Sequence, residues 1–305
     1  MLLKQLAYNE KLVGRNLTQE EIEKYTQELT LCAHAELSSL INATNYKSHH
    51  VHSSPSFDRD TVLFESIDVI RYMFAVLNTW KINPEEVKSA YESKDNYLTM
   101  QENFKNSQWN GLDPVAIVDI DDVLAEFRIS FANWLDEVCN IKADVDSDEY
   151  YFITALSQSN ENPEIIFETF LKQDGFKSLP VVPGAIDFLS ELKSLGYYVH
   201  LLTARPKEEL RCLYNTYSWV KNNEIPCDAI DFSSEKFRWC AKSKYYDKEK
   251  IAFAIDDSPK HAEEYAKHGI KCYVPYKNYN KHLTGKNIYF YDHFDEVIRK
   301  QKGIK

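Results

Sequence analysis

The stretch Val115-Ala-Ile-Val-Asp-Ile-Asp-Asp-Val-Leu124 restricts the fold more than any other part of the chain. An uninterrupted Val/Ile run is the pattern of a strand buried on both faces of a parallel sheet. Open sheets of that kind bind ligands just beyond the carboxyl ends of their strands. Here the run ends in Asp119, and Asp121 follows two residues later, aimed by strand alternation in the same general direction. Two carboxylates so close repel each other and resist burial unless a cation lies between them. Taken alone, the stretch also fits a strand that merely ends in an acidic turn.

Three further segments repeat the pattern downstream. Tyr198-Val-His-Leu-Leu202 runs into Thr203-Ala-Arg-Pro206, and Asp228-Ala-Ile-Asp-Phe232 is followed by Ser-Ser-Glu-Lys236. Ile251-Ala-Phe-Ala-Ile255 ends in Asp256-Asp257-Ser258-Pro259. Between the first strand and Thr203 lies more chain than one helix needs, and 127–178 reads as an inserted cap of short helices. It opens with Phe127, Arg128, Phe131 and Trp134, whose three aromatic rings suit either stacking on a base or the cap's own core.

The part before Ser107-Gln-Trp-Asn-Gly-Leu-Asp-Pro114 reads as an all-α bundle over 1–110, and the α/β part as 114–305. Thr18-x-x-Glu21 is a capping box opening a helix to about Asn42, with Leu29, Cys32, Ala33, Leu37, Leu40 and Ile41 on one apolar face. A second helix is expected from Arg59 to Trp80. Asn83-Pro84-Glu85-Glu86 caps a third that reaches about Phe104. The polar stretch 45–56 holds His49, His50 and His52, which read as a solvated loop rather than a metal site.

The 305 residues suffice for two domains, and 44% apolar content supports two cores. A net charge of −11 argues against a general nucleic-acid-binding surface but not against a nucleotide, for which one cationic pocket or bound metal is enough. Six scattered cysteines without a Cys-x-x-Cys pair read as buried thiols of a reducing compartment. With no leader pattern and no bilayer-length apolar run, the expectation is a cytoplasmic protein with no membrane partner.

Asp, Thr, Lys and Asp-Asp at successive strand ends resemble the four motifs of the haloacid dehalogenase (HAD) superfamily, from about Pro114 to the C-terminus. The resemblance implies a Rossmannoid parallel sheet with a helical cap. It implies Asp119 as nucleophile, Asp121 as acid and base, and Thr203 and Lys236, with Ala204 and Arg205 beside them, around the phosphate. Mg²⁺ would be held by Asp119, Asp121 and Asp256 with Asp257 near. Lys242 and Lys244 compete for the lysine role, and the position of Lys236 directly after a strand favours it. Asp119-Ile-Asp-Asp-Val-Leu-Ala-Glu-Phe127 and Ile255-Asp-Asp-Ser-Pro259 look like the 5'-deoxyribonucleotidase group, as does the tail Tyr273-Val-Pro-Tyr276-Lys-Asn-Tyr279-Asn280. Phe127 and Phe131 would then meet the substrate. Asp122 stands where that group usually has glycine, adding charge and narrowing the pocket.

The helical strings around Glu36 and from Phe64 to Phe74 resemble the all-α nucleotide pyrophosphohydrolases, the group of MazG and the dimeric dUTPases. That likeness implies a second Mg²⁺ site at Glu36, Glu65 and Asp68, and nucleotide contacts from Lys47, Lys94 and Asn96. It also implies a homodimer or higher oligomer through the helical part. Ser39 stands where the family has a second glutamate, so a catalytic, a binding and a purely dimerising role all remain open. The combined expectation is an enzyme taking a nucleoside triphosphate to monophosphate and pyrophosphate, then to nucleoside and phosphate. The alternative is a phosphatase for another small phosphomonoester or a nucleic-acid terminal phosphate, carrying a non-catalytic helical module.

Overall fold

A computed structural model of the chain describes residues 17–43, 59–247 and 249–303. Lys47 and the His49, His50 and His52 cluster lie outside the described residues. The chain forms two compact units, divided between Glu92 and Ser93.

The first unit contains α1 (Gln19–Ala43), α2 (Arg59–Thr79) and the start of α3 (Pro84–Asn106). The starts follow the capping chemistry in the sequence. Thr18 Oγ1 accepts from the Glu21 N–H, while Glu21 Oε2 accepts from the Thr18 N–H. Asn83 Oδ1 accepts from the Glu85 and Glu86 N–H groups at 3.0 Å, satisfying donors that a helix start leaves open. α1 and α2 pack together, and Trp80 Nε1 donates to Thr26 Oγ1 across them. The expected apolar face of α1 is only partly covered. Ala33 is buried, but Cys32, Leu37 and Ile41 are exposed. Leu31 and Phe64 are likewise exposed, at 70% and 66%.

The second unit begins inside α3 rather than at the turn 107–114. Ser93 and Met100 are buried in it, and Gln101 Nε2 donates to Tyr217 Oη at 2.7 Å. Tyr97 packs edge-on against Tyr214 and Tyr217. These apolar last turns of α3 need a surface, and α8 (Leu210–Asn222) provides it.

The sheet holds β1 (Val115–Val118), β2 (Tyr198–Thr203), β3 (Ala229–Phe232), β4 (Ile251–Ile255), β5 (Cys272–Pro275) and β6 (Ile288–Tyr291). Their order is β3-β2-β1-β4-β5-β6, and every neighbouring pair is parallel. This is the doubly wound, HAD-like Rossmannoid arrangement that the strand-end motifs imply. All of β1 is buried, with Ala116 and Val118 in one core and Val115 and Ile117 in the other. Strand β1 is the first central strand, and the order reverses beside it at β4. The carboxyl ends of β1 and β4 therefore flank the switch point where such sheets take their ligands. β5 and β6 are four residues each, as β1 and β3 are, but neither ends in one of the four strand-end motifs that mark the others in the sequence.

After β1 the chain turns through Asp122 and enters the cap: α4 (Phe127–Cys139), α5 (Ile153–Leu156) and α6 (Pro163–Lys172). Asp122 has φ 54°, the left-handed region in which glycine is easiest. Its Oδ1 accepts from the Arg128 N–H at 2.8 Å, so it ties down a free donor in the first turn of α4. The aspartate thus has a helix-capping role that the sequence comparison with glycine did not suggest. Phe127, Phe131, Phe167, Phe170 and Phe176 form a continuous aromatic cluster inside the cap. Gly175 is required there, since a Cβ would stand 2.4 Å from the Phe170 ring. The remaining helices of this unit are α7 (Ala185–Ser194), α9 (Lys236–Ala241), α10 (Lys244–Asp247), α11 (Pro259–Lys267) and α12 (Phe294–Gln301).

Candidate active site

Strand ends bring the sequence-separated acids together. Asp119 leaves β1 with its N–H bonded to the Ile255 carbonyl at 2.9 Å, which fixes the β1 and β4 ends side by side. One oxygen of Asp119, one of Asp256 and one of Asp257 lie within 4.8 Å of one another, all on buried residues. Lys236, the first residue of α9, is 1% exposed and reaches both Asp119 Oδ2 and Asp256 Oδ2 at 2.7 Å. The other oxygens are held too: Asp119 Oδ1 accepts from the Ile120 N–H at 2.7 Å and Asp256 Oδ1 from the Ser258 N–H at 3.1 Å. Tyr279 Oη donates to Asp257 Oδ2 at 2.6 Å, and Asn280 Nδ2 donates to the Asp257 carbonyl. Asp257 Oδ1 is sealed from solvent without a hydrogen-bond partner.

Electrostatics show what such an assembly demands. Burial, reinforced by Asp256 and Asp121 and opposed by Lys236, pushes the Asp119 carboxyl up to about 8. Burial and the charges of Asp122, Asp119 and Asp256 raise Asp257 well above the usual carboxylate range. Burial also raises Asp122, to about 6. Burial pulls Lys236 down, but Asp119 and Asp256 more than offset it and hold the ammonium charged. The carboxyl groups of Asp119, Asp121, Asp122, Asp256 and Asp257 outnumber the buried cations Lys236, Arg205 and Arg128. The surplus negative charge, the converging buried oxygens and the orphan Asp257 Oδ1 together fit a hard divalent cation.

A cavity of about 700 Å³ opens above these groups. Its floor includes Asp119, Asp121, Ala204, Arg205, Lys236 and Ser258; its upper wall is apolar, with Phe127, Phe131, Tyr150, Phe152, Phe167 and Phe176 from the cap. Phe127 and Phe131 serve in the cap core and in the wall at once, stacked with ring centroids 5.5 Å apart. Thr203 is fully buried at the end of β2, its hydroxyl accepting from the Arg205 N–H at 3.2 Å. Arg205 lines the cavity but aims its guanidinium at Asp121. Of the competing lysines, Lys244 is exposed against the Trp109 ring and Lys242 is exposed as well; neither lines the cavity.

Sequence reading missed three contributors. Arg128 is buried in the cap, donates to the Val145 and Tyr150 carbonyls and stacks over Phe152 and Tyr279, so it pins the 144–152 loop beside the cavity. His261 lines the cavity, and burial lowers its imidazole to about 4, so it is neutral at pH 7. Tyr279 belongs to the noted tail motif, but its bond to Asp257 depends on a loop closure that only the fold supplies. An arginine among the cap aromatics, Arg128 between Phe127 and Phe131, was the one visible hint.

The helical carboxylates are arranged differently. Glu36, Glu65 and Asp68 are half-buried, and Asp68 pairs with Arg71 at 3.3 Å. Glu36 and Asp68 are both near enough to raise the Tyr72 hydroxyl, after larger effects from Cys32 and burial. Yet among the described residues the Asp119, Asp256 and Asp257 group alone meets the 4.8 Å convergence. Lys94 Nζ donates to Tyr214 Oη at 2.7 Å and Asn96 Nδ2 to Ser218 Oγ at 3.3 Å, which ties both to α8 of the second unit.

No family model matches the chain. Two curated bacterial relatives carry the name "Putative nucleotidase". The one from Oceanobacillus iheyensis is 24% identical over 168 residues, spanning 53% of this chain and 87% of the relative. The one from Bacillus cereus is 24% identical over 194 residues, spanning 60% of this chain and 97% of the relative. Among solved structures, a protein described as a "predicted phosphatase" from Clostridium acetobutylicum is 17% identical, with TM-score 0.45, over 63% of this chain and 100% of that one. CbbY from Rhodobacter sphaeroides is 18% identical, with TM-score 0.41, over 61% and 96%. The fold assignment rests on strand order and topology, not on these likenesses.

Proposed function

We propose that the second unit is a Mg²⁺-dependent phosphatase acting on nucleoside or deoxynucleoside monophosphates through an aspartyl-phosphate. The observation that carries this is the Asp119–Lys236–Asp256 contact set at the sheet's switch point, under an aromatic cavity. Asp119 attacks phosphorus; the bond to the leaving oxygen breaks, and that oxygen takes a proton from Asp121. Water then attacks the acyl phosphate, Asp121 accepts its proton, and Asp119 is regenerated with release of inorganic phosphate. Lys236 neutralises Asp119 against the incoming anion. Mg²⁺, with Asp119, the Asp121 carbonyl, Asp256 and Asp257 to hold it, supplies further charge neutralisation when bound. The aromatic wall suits a flat base at the leaving-group end. The relatives' nucleotidase names point the same way.

Phosphate release across a panel of nucleoside and sugar monophosphates, with Mg²⁺ and with EDTA, tests the reading. Release from nucleotides that EDTA abolishes is the expected result. Equal release from sugar phosphates favours the broader phosphomonoesterase reading.

For the first unit, the lack of a 4.8 Å convergence among Glu36, Glu65 and Asp68, together with Ser39, favours a nucleotide-binding or dimerising module over triphosphate cleavage. Pyrophosphate formed from any triphosphate, and lost in Glu65→Gln, overturns that assignment.

A further inference from the structure

Arg205 is one of the most fully engaged side chains in the second unit. It is 1% exposed, and its donors are mostly spent. Nε donates to both oxygens of Asp121 at 3.0 and 3.2 Å, and Nη2 donates to Oδ1 at 2.7 Å. Nη1 donates to Thr216 Oγ1 at 3.1 Å. That hydroxyl cannot turn away, because it donates in its turn to the Cys212 carbonyl at 2.8 Å within α8. From the cap, the Phe176 ring covers the guanidinium at 4.2 Å. The arginine is thus braced from behind by a helix and from above by the cap, and it grips a carboxylate that is itself 23% exposed toward the cavity.

We propose that Arg205 is a positioning residue for Asp121 rather than a phosphate ligand, with Thr216 as its brace. This rests on the phosphatase reading above. A two-point grip fixes the plane of the carboxylate, so the edge left open to the cavity is presented to the leaving oxygen in one orientation. In the first chemical step the Asp119–phosphorus bond forms and the phosphorus–oxygen bond to the leaving group breaks. The departing electron pair takes its proton from Asp121. Misaligning a transferring group by about 1 Å costs on the order of 10²-fold. A leaving group that is stable as an anion needs no such proton.

The test compares kcat/KM, which reports only the steps up to leaving-group departure, for a deoxynucleoside monophosphate and for p-nitrophenyl phosphate in the full-length protein. Arg205→Lys keeps the charge but loses the fork. It is expected to lower kcat/KM for the nucleotide by about 10²-fold and for p-nitrophenyl phosphate by less than about threefold, with inhibition by inorganic phosphate unchanged. Thr216→Val removes the brace without touching Asp121 and should give a smaller loss, about threefold to tenfold, with the same leaving-group bias. It decides the matter if Arg205→Lys fails to fold. Equal losses on the two substrates, or phosphate inhibition weakened tenfold, overturn the positioning role and make Arg205 a phosphate ligand. A parent protein that hydrolyses neither substrate overturns the phosphatase reading itself, and the positioning role with it.

Discussion

The two units carry similar acidic motifs and do different things with them. In the second unit, Asp119 is far in sequence from the adjacent Asp256 and Asp257, yet the three converge as buried groups. In the first, Glu65 and Asp68 are close in sequence, but they and Glu36 stay half-exposed and do not converge within 4.8 Å. The difference lies in what fixes the backbone beneath each acid. Parallel pairing sets β1 and β4 in register, and the Asp119 N–H is itself bonded across to Ile255. Carboxylates at such ends have little freedom. Acids on two helices depend on how the helices are rotated against each other.

The largest expected contrast is in activity. Asp119→Asn should reduce monophosphate hydrolysis by about 10⁴-fold or more, while Glu65→Gln changes it by less than about twofold. Steady-state phosphate release on both variants measures this. A comparable loss in Glu65→Gln breaks the distinction between the units.

Next is the stability of the buried charge cluster. Lys236→Met leaves Asp119 and Asp256 buried without their shared cation. Removing one partner of a buried pair costs about 3–5 kcal/mol. Urea unfolding of the metal-free protein at neutral pH should show a loss of that order; an unchanged midpoint contradicts the pairing.

A pH series sharpens the same point. Burial raises Asp119 in the folded protein to about 8, above its unfolded value near 4, so the folded state binds more protons across that window. Metal-free stability contributed by this group therefore falls as pH rises from about 4 to about 8. A cation needs these acids ionised, so the gain in melting temperature on adding Mg²⁺ should be larger at pH 8 than at pH 5. A gain independent of pH places the cation elsewhere.

Tyr279→Phe removes the bond to Asp257 and should weaken Mg²⁺ affinity by about tenfold to 100-fold, read from the Mg²⁺ dependence of activity. The smallest effect is Asp122→Gly. Relief of the left-handed backbone and loss of the bond to the Arg128 N–H act in opposite directions, so stability should change by less than about 1 kcal/mol. Chemical denaturation checks this, and a loss of several kcal/mol contradicts it.

Much of the sheet was legible because buried parallel strands are written as apolar runs and their functional ends as short polar ones. β4 begins and ends at the residues the run marks, and Lys236 lies buried between Asp119 and Asp256. β6, Ile288-Tyr-Phe-Tyr291, is a run as long as β1 but carries none of the four motifs at its end. The helix starts were legible from their caps, but the burial of helix faces was not. Periodicity identifies an apolar face without naming what covers it, and Leu37 and Ile41 stay exposed. The end of α3 gave no sign that it belongs with the second unit, since Tyr97 and Gln101 find their partners more than a hundred residues away. The grip of Arg205 on Asp121 was hidden for the same reason, because a Thr-Ala-Arg motif does not say which way its arginine turns.

The most direct test of the central claim is to find the phosphoryl group on its carrier. Protein mixed with a nucleoside monophosphate and Mg²⁺, quenched in acid and digested, should yield a phosphoryl adduct on Asp119 by mass spectrometry. The adduct should be absent from Asp119→Asn. Turnover by the parent with no adduct at Asp119, and with Asp119→Asn still active, contradicts the account.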